Sequence, residues 1–153
     1  MGFGVLKIKL KLPEAFKFED VNISLYYANE IDVLDANEGS KIFGKKYLEQ
    51  VHLELKTQEG ASIDVLVKTK HLIVKSVSGG VIKVKGFTQS QHIDATTGGI
   101  YEGYGLDSKQ VVVTAASGAK VELLCTEVLD AKVRFGGSVY YKGDPEVLKT
   151  KKI

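Results

Sequence analysis

Three histidines, His52, His71 and His92, stand 19 and 21 residues apart. Histidine is a common zinc ligand, and near-equal steps would bring the three to one edge of a chain that repeated with that period. No Cys, Asp or Glu completes the set at matching positions, so three surface histidines are expected and no metal or other cofactor is assigned. The acidic residues Glu102 and Glu122 are the next candidates. Carboxylates on one face do acid–base work on glycosidic bonds, but they need a partner such as a metal, Lys or Arg converging on the same groove. The only arginine, Arg134, sits beside Phe135, and no catalytic residue is assigned. Aromatics recur in Tyr101, Tyr104, Tyr140 and Tyr141, with Phe87 and Phe135. Tyr104 and Tyr140 are expected to point outwards, where an aromatic ring can stack on a sugar or fill a partner's pocket. The candidate ligand contacts are therefore Tyr104, Tyr140, Glu102 and Glu122. Cys125, the single cysteine, lies in the alternating stretch "VELLCTE" and is expected to be a buried, inert thiol.

What positions these residues is a repeat. Gly-Gly or Gly-Ala pairs begin at Gly60, Gly79, Gly98, Gly118 and Gly136, at steps of 19, 19, 20 and 18. Read forward without gaps they give "GASIDVLV", "GGVIKVKG", "GGIYEGYG", "GAKVELLC" and "GGSVYYKG". The fourth column is Ile63, Ile82, Tyr101, Val121 and Val139; the sixth is Val65, Val84, Gly103, Leu123 and Tyr141. Side chains alternate along a strand, so these columns share an inner face. The fifth column, Asp64, Lys83, Glu102, Glu122 and Tyr140, faces outwards. The eighth is Val67, Gly86, Gly105, Cys125 and Gly143, mostly a turn glycine. A second apolar run follows in each unit: "HLIV", "HIDA", "QVVV", "VLDA" and "EVLK".

Two short strands and glycine corners per ~19 residues predict an all-β solenoid, each unit one coil, with equivalent strands stacked in parallel at about 4.8 Å. The pairs Gly79-Gly80, Gly98-Gly99 and Gly136-Gly137, with Gly143, are the structural corners. The leading glycine admits φ > 0, and the small second residue fits where coils stack closely. No Leu/Asn pattern of a leucine-rich repeat is present, and Asn-Gly or Asp-Gly hairpin turns are missing. Seven or eight coils are expected in a single domain over residues 1–153. Residues 58–153 form the regular repeats. Residues 1–57 form irregular first coils or an N-terminal cap, with strands read at "VLKIKLKL", "VNISLYY", "NEIDVLD" and "YLEQVHLELK". The chain stops where another Gly pair is due, so the last coil reads as incomplete.

Composition bounds the function. A net charge of +2 from interspersed charges is too small to point to nucleic acid. The lysines of "KIKLKL" and "LKTKKI" read as solvated strand faces and a tail. No apolar run reaches the ~20 residues that span a membrane, and no signal-peptide core is visible. Nucleotide-binding loops and nucleophile elbows are absent; "GGIYEGYG" is glycine-rich but lies inside the repeat.

The segment "LDAKVRFGGSVYYKGDPEVLKTKKI" resembles the end of the putative auto-transporter adhesin, head GIN domain, family. Gly136, Gly137, Val139, Tyr140, Tyr141, Lys142, Gly143, Asp144 and Pro145 match its closing motif, and "SVSGG" and "AASGA" match its corners. The resemblance covers residues 58–153 well and the first 57 loosely. It implies a right-handed parallel β-helix and a periplasmic, outer-membrane-anchored or cell-surface location, with no catalytic residues. The expected role is a non-enzymatic envelope scaffold whose partners are carbohydrate, a surface polymer or another envelope protein. Self-association through coil ends or sheet faces is a further expectation. The alternatives are a cytoplasmic, polymer-forming β-helix resembling bactofilins, and a carbohydrate-active enzyme.

Overall fold

The alternation in the sequence becomes ten strands in the computed structural model, which describes residues 4–9 and 21–153. They are β1 (Val33–Ala36), β2 (Lys41–Thr57), β3 (Ser62–Val77), β4 (Val81–Thr96), β5 (Ile100–Gly103), β6 (Leu106–Ala116), β7 (Lys120–Leu124), β8 (Val128–Arg134), β9 (Ser138–Lys142) and β10 (Val147–Lys152). All pairing is parallel, each strand against the one a coil later. From β3 to β4 the register is 19 residues throughout, Ser62 opposite Val81 and Val77 opposite Thr96. Among the described residues the result is a β-solenoid of about six turns, where seven or eight coils were expected.

The shortfall lies at the N-terminal side. Gly4–Lys9 and residues 21–32, including "VNISLYY", are not in strands, and residues 10–12 of "VLKIKLKL" lie outside the described residues. The sequence has no glycine between Gly4 and Gly39, so the glycine that marks each later corner is missing there. Of "NEIDVLD" only Val33–Asp35 joins a strand, while "YLEQVHLELK" lies within β2.

The corners explain the glycine pairs. In each, a backbone N–H bonds back three residues: Ala61 to Gln58, Gly80 to Val77, Gly99 to Thr96, Ala119 to Ala116 and Gly137 to Arg134, at 3.0–3.2 Å. Both central residues have positive φ, for example Ser78 at 49° and Gly79 at 74°. These are type I′ turns, here used to carry the chain round a coil and not to join a hairpin. A sixth, with Ser40 bonded to Asn37 and Glu38 and Gly39 at positive φ, precedes β2, so the ladder reaches one coil further back than the glycine pairs indicate. The left-handed non-glycine residue costs of order 1 kcal/mol. Stacking offsets that cost, because the N–H of Gly39, Gly60, Gly79 and Gly98 each donates to the carbonyl at the next corner, Glu59, Ser78, Thr97 and Ser117. The small second residue is required by the coil below. A Cβ on Gly99 would come within 2.1 Å of the Ser76 carbonyl oxygen, and one on Gly137 within 2.3 Å of that of Ala115.

The interior is built of columns. Ile63, Ile82, Tyr101 and Val121 stack through fully buried positions, opposite a second column of Leu53, Leu72, Gln91, Val111 and Leu129. Each large apolar side chain so buried contributes about 1.5–3 kcal/mol. The buried hydroxyls are satisfied between neighbouring coils: Thr57 with Ser76 at 3.0 Å, and Thr69 donating to Thr88 at 2.9 Å.

The second apolar runs stack as His71–Val74, Ser90–Ile93, Gln110–Val113 and Val128–Ala131, followed by Val147–Thr150. "HIDA" is therefore two residues and "EVLK" one residue out of step with the expected alignment. The inward positions of this run are Leu72, Gln91, Val111, Leu129 and Leu148, and a polar Gln91 in a column of apolar residues hides the phase.

Candidate site on the first outer face

The outward column is a real ladder: Phe43, Asp64, Lys83, Glu102, Glu122 and Tyr140 are successive register partners. Two like charges, Glu102 and Glu122, therefore sit on neighbouring rungs, an arrangement that costs energy unless a cation intervenes. Lys120 supplies one, its Nζ 2.6 Å from Glu122 Oε1. The hydrogen bond and charge of Glu122 raise the Lys120 pKa. The same amine lies 5.7 Å from the centre of the Tyr140 ring, which is 51% exposed.

Tyr104 enters through a break in the ladder. Lys83 is opposite Glu102, 19 residues on, but Gly86 is opposite Leu106, 20 residues on. One extra residue is inserted, and Tyr104-Gly105 leaves the strand as a turn between β5 and β6. A bulge of this kind re-aims a side chain out of the pleat. The eight-column alignment without gaps therefore fails at Gly105, which does not stack on Gly86. Packing requires the first flanking glycine, while at the second only the exposed Lys85 side chain would have to move. A Cβ on Gly103 would lie 2.7 Å from the Tyr101 ring, and one on Gly105 2.8 Å from Cγ of Lys85. Beneath the break runs a buried polar chain. The Tyr101 hydroxyl donates to Gln91 Oε1 at 2.7 Å, the Gln91 amide donates to Ser108 Oγ at 2.9 Å, and Ser108 donates to the Leu124 carbonyl. Burial pushes the Tyr101 phenol pKa far above its usual value.

Lys83, Val84, Lys85, Glu102, Tyr104, Gly105 and Glu122 line a shallow pocket of about 210 Å³ at this break. Lys142 holds its Nζ 4.3 Å from the Tyr104 ring centre, a cation–π contact. Three of the four sequence-derived residues, Glu102, Glu122 and Tyr104, thus share one concavity, and Tyr140 is the rung beside Glu122. Lys83, read only as a rung of the outward column, and Lys85, Lys120 and Lys142 were missed as site residues. The signal for them was the 20-residue step from Gly98 to Gly118, which marks an insertion in that coil.

The histidines divide. His52 and His71 are register partners with stacked rings 5.0 Å apart, and His71 Nδ1 lies 2.8 Å from Ser90 Oγ. His92 is two residues out of phase, beside Ile73 and Val112. Among the described residues no three His, Cys, Asp or Glu side chains are grouped to hold a metal. Cys125 is fully buried with its thiol directed at the Val128 carbonyl at 3.0 Å, and burial raises its pKa. No helix among the described residues is long and apolar enough to cross a membrane.

The family described as "Putative auto-transporter adhesin, head GIN domain" matches residues 3–145. The chain belongs to this family. A crystal structure of a putative adhesin from Bacteroides fragilis NCTC 9343 is similar in fold, with a TM-score of 0.70 and 24% sequence identity. The match covers 73% of this chain and 52% of that one, so the head GIN chain spans about half the length of that structure. Among curated protein sequences no match was found.

Proposed function

We propose that this head GIN chain is a non-enzymatic binding scaffold of the bacterial cell envelope or surface, and that it presents its first outer face to a carbohydrate or other surface polymer. Membership of an adhesin-described family supports the location and the binding role. The observation that carries the choice of face is the break at Tyr104. It is where the ladder opens into a pocket, and it gathers an aromatic ring, two glutamates and several lysines. A long ladder with rungs about 4.8 Å apart offers a polymer repeated contacts along its length, and binding energy accumulates over them.

The test is where the native protein sits and what it holds. The protein is tagged in its own organism, the cells are fractionated, and intact cells are treated with protease. Recovery in the envelope with cleavage on intact cells is expected, followed by retention on a glycan and matrix screen that is lost in Tyr104→Ala. Full protection in the cytoplasmic fraction would overturn the proposal and favour the filament-forming alternative.

A further inference from the structure

The lining of the pocket at Tyr104 holds two lysines and two glutamates, Lys83, Lys85, Glu102 and Glu122. Of its two glutamates, Glu122 is neutralised by Lys120 at 2.6 Å. Among the described residues Lys83 and Lys85 make no ion pair, although both line the pocket. They are two residues apart on one strand, so their side chains leave the same face within about 7 Å of each other. Flexible stems of that spacing converge readily on one carboxylate. Lys83 and Lys85 line the pocket with the two glutamates, Lys120 holds Glu122 from outside it, and Lys142 lies over the Tyr104 ring. Glu102, with no cation bound to it, is left as an acceptor for hydroxyl groups. The volume, about 210 Å³, is below the size of a drug-like cavity and suits a single ring.

We infer that this pocket binds a carboxylated sugar unit of an acidic polysaccharide, with Lys83 and Lys85 on the carboxylate, Glu102 accepting from ring hydroxyls, and Tyr104 against the sugar. The inference rests on the binding-scaffold reading and adds the charge of the ligand. Lysine–carboxylate bonds are charge-assisted, so the binding is salt-sensitive and falls as ionic strength rises.

The test uses the whole chain and three probes of matched length: a uronic-acid oligosaccharide, its neutral counterpart and polyglutamate. Binding is measured by calorimetry in low and moderate salt. The expected result is binding of the uronic-acid probe alone. Lys83→Gln/Lys85→Gln should weaken it at least about tenfold, as loss of a charge-assisted contact predicts. Tyr104→Ala should also weaken it, while Lys149→Gln/Lys151→Gln on β10 should leave it unchanged, with far-ultraviolet dichroism showing all variants folded. Equal binding of the neutral probe would overturn the acidic-sugar inference and leave the scaffold reading standing. Binding of polyglutamate as tight as the uronate, indifferent to Tyr104→Ala, would overturn it as simple ion exchange. No binding of any probe would overturn this site, while the scaffold reading would still be judged by where the protein is found.

Discussion

The middle of the solenoid and the coil that follows it are made from the same parts and do different things. From β3 to β4 every rung is 19 residues from the last, both strands run unbroken for 16 residues, and the outer surface is an even row of side chains. In the next coil one added residue splits the strand into β5 and β6, turns Tyr104 outward and leaves a pocket. The coil after that is two residues shorter, with Cys125–Glu127 connecting β7 and β8. A second slip falls at the same corner of the first full coil, where Gly44–Lys46 separate Phe43 from Tyr47 and Lys68 lies 4.5 Å from the Tyr47 ring centre. In a solenoid, uniform length maintains stacking, and a change of one or two residues at a corner is enough to make a surface feature while the hydrogen-bond ladder resumes beyond it.

That contrast can be broken most severely where the regular coils touch. Gly99→Ala places a methyl against the Ser76 backbone, which has no room to yield, and should lower stability by roughly 1–3 kcal/mol in urea denaturation. Ala119→Gly, in the same column, removes a methyl that already fits and should cost about 1 kcal/mol or less. Next in size is the polar chain under the break. Tyr101→Phe leaves Gln91 short of a donor and should cost about 1–3 kcal/mol. Its pH signature is specific. Below pH about 10 the phenol is protonated both folded and unfolded; above it only the unfolded chain ionises, so stability falls by up to about 1.4 kcal/mol per pH unit. The Phe variant should lack that component of the alkaline slope. Deleting Tyr104 should be milder still. It returns the coil to 19 residues, so the fold should persist with a melting temperature within a few degrees, while polymer binding is lost. The smallest effect is expected at Cys125. Its thiol should resist alkylation in the native protein and react fully in denaturant, with no change in binding.

Much of this fold was legible because the sequence repeats its own solution. The Gly pairs gave the coil period, and the inward residues Ile63, Ile82, Tyr101 and Val121 were readable from two-residue alternation alone. The exposed column from Asp64 to Tyr140 followed from the same rule. Three things were harder to see. The corner at Asn37–Ser40 carries only one glycine, and Ser40 takes the place where a Gly or Ala marks the others. Gln91 disguises an inward column, because its polarity is met by Tyr101, a partner ten residues away that alternation cannot show. The pocket depends on an insertion whose only trace was a 20-residue step, and only stacking brings its lysines Lys83 and Lys85 towards Lys120, which holds Glu122, and Lys142, which covers Tyr104.

The orientation of the ladder has a mechanical consequence. The hydrogen bonds between coils run along the long axis, so a pull applied between the two ends loads them one rung after another and not all at once. Each coil adds only about 4.8 Å to the folded length but holds ~19 residues, which reach roughly 65 Å when drawn straight. Under tension such a stack would lengthen in steps of a single coil, each step absorbing work before the next coil was loaded.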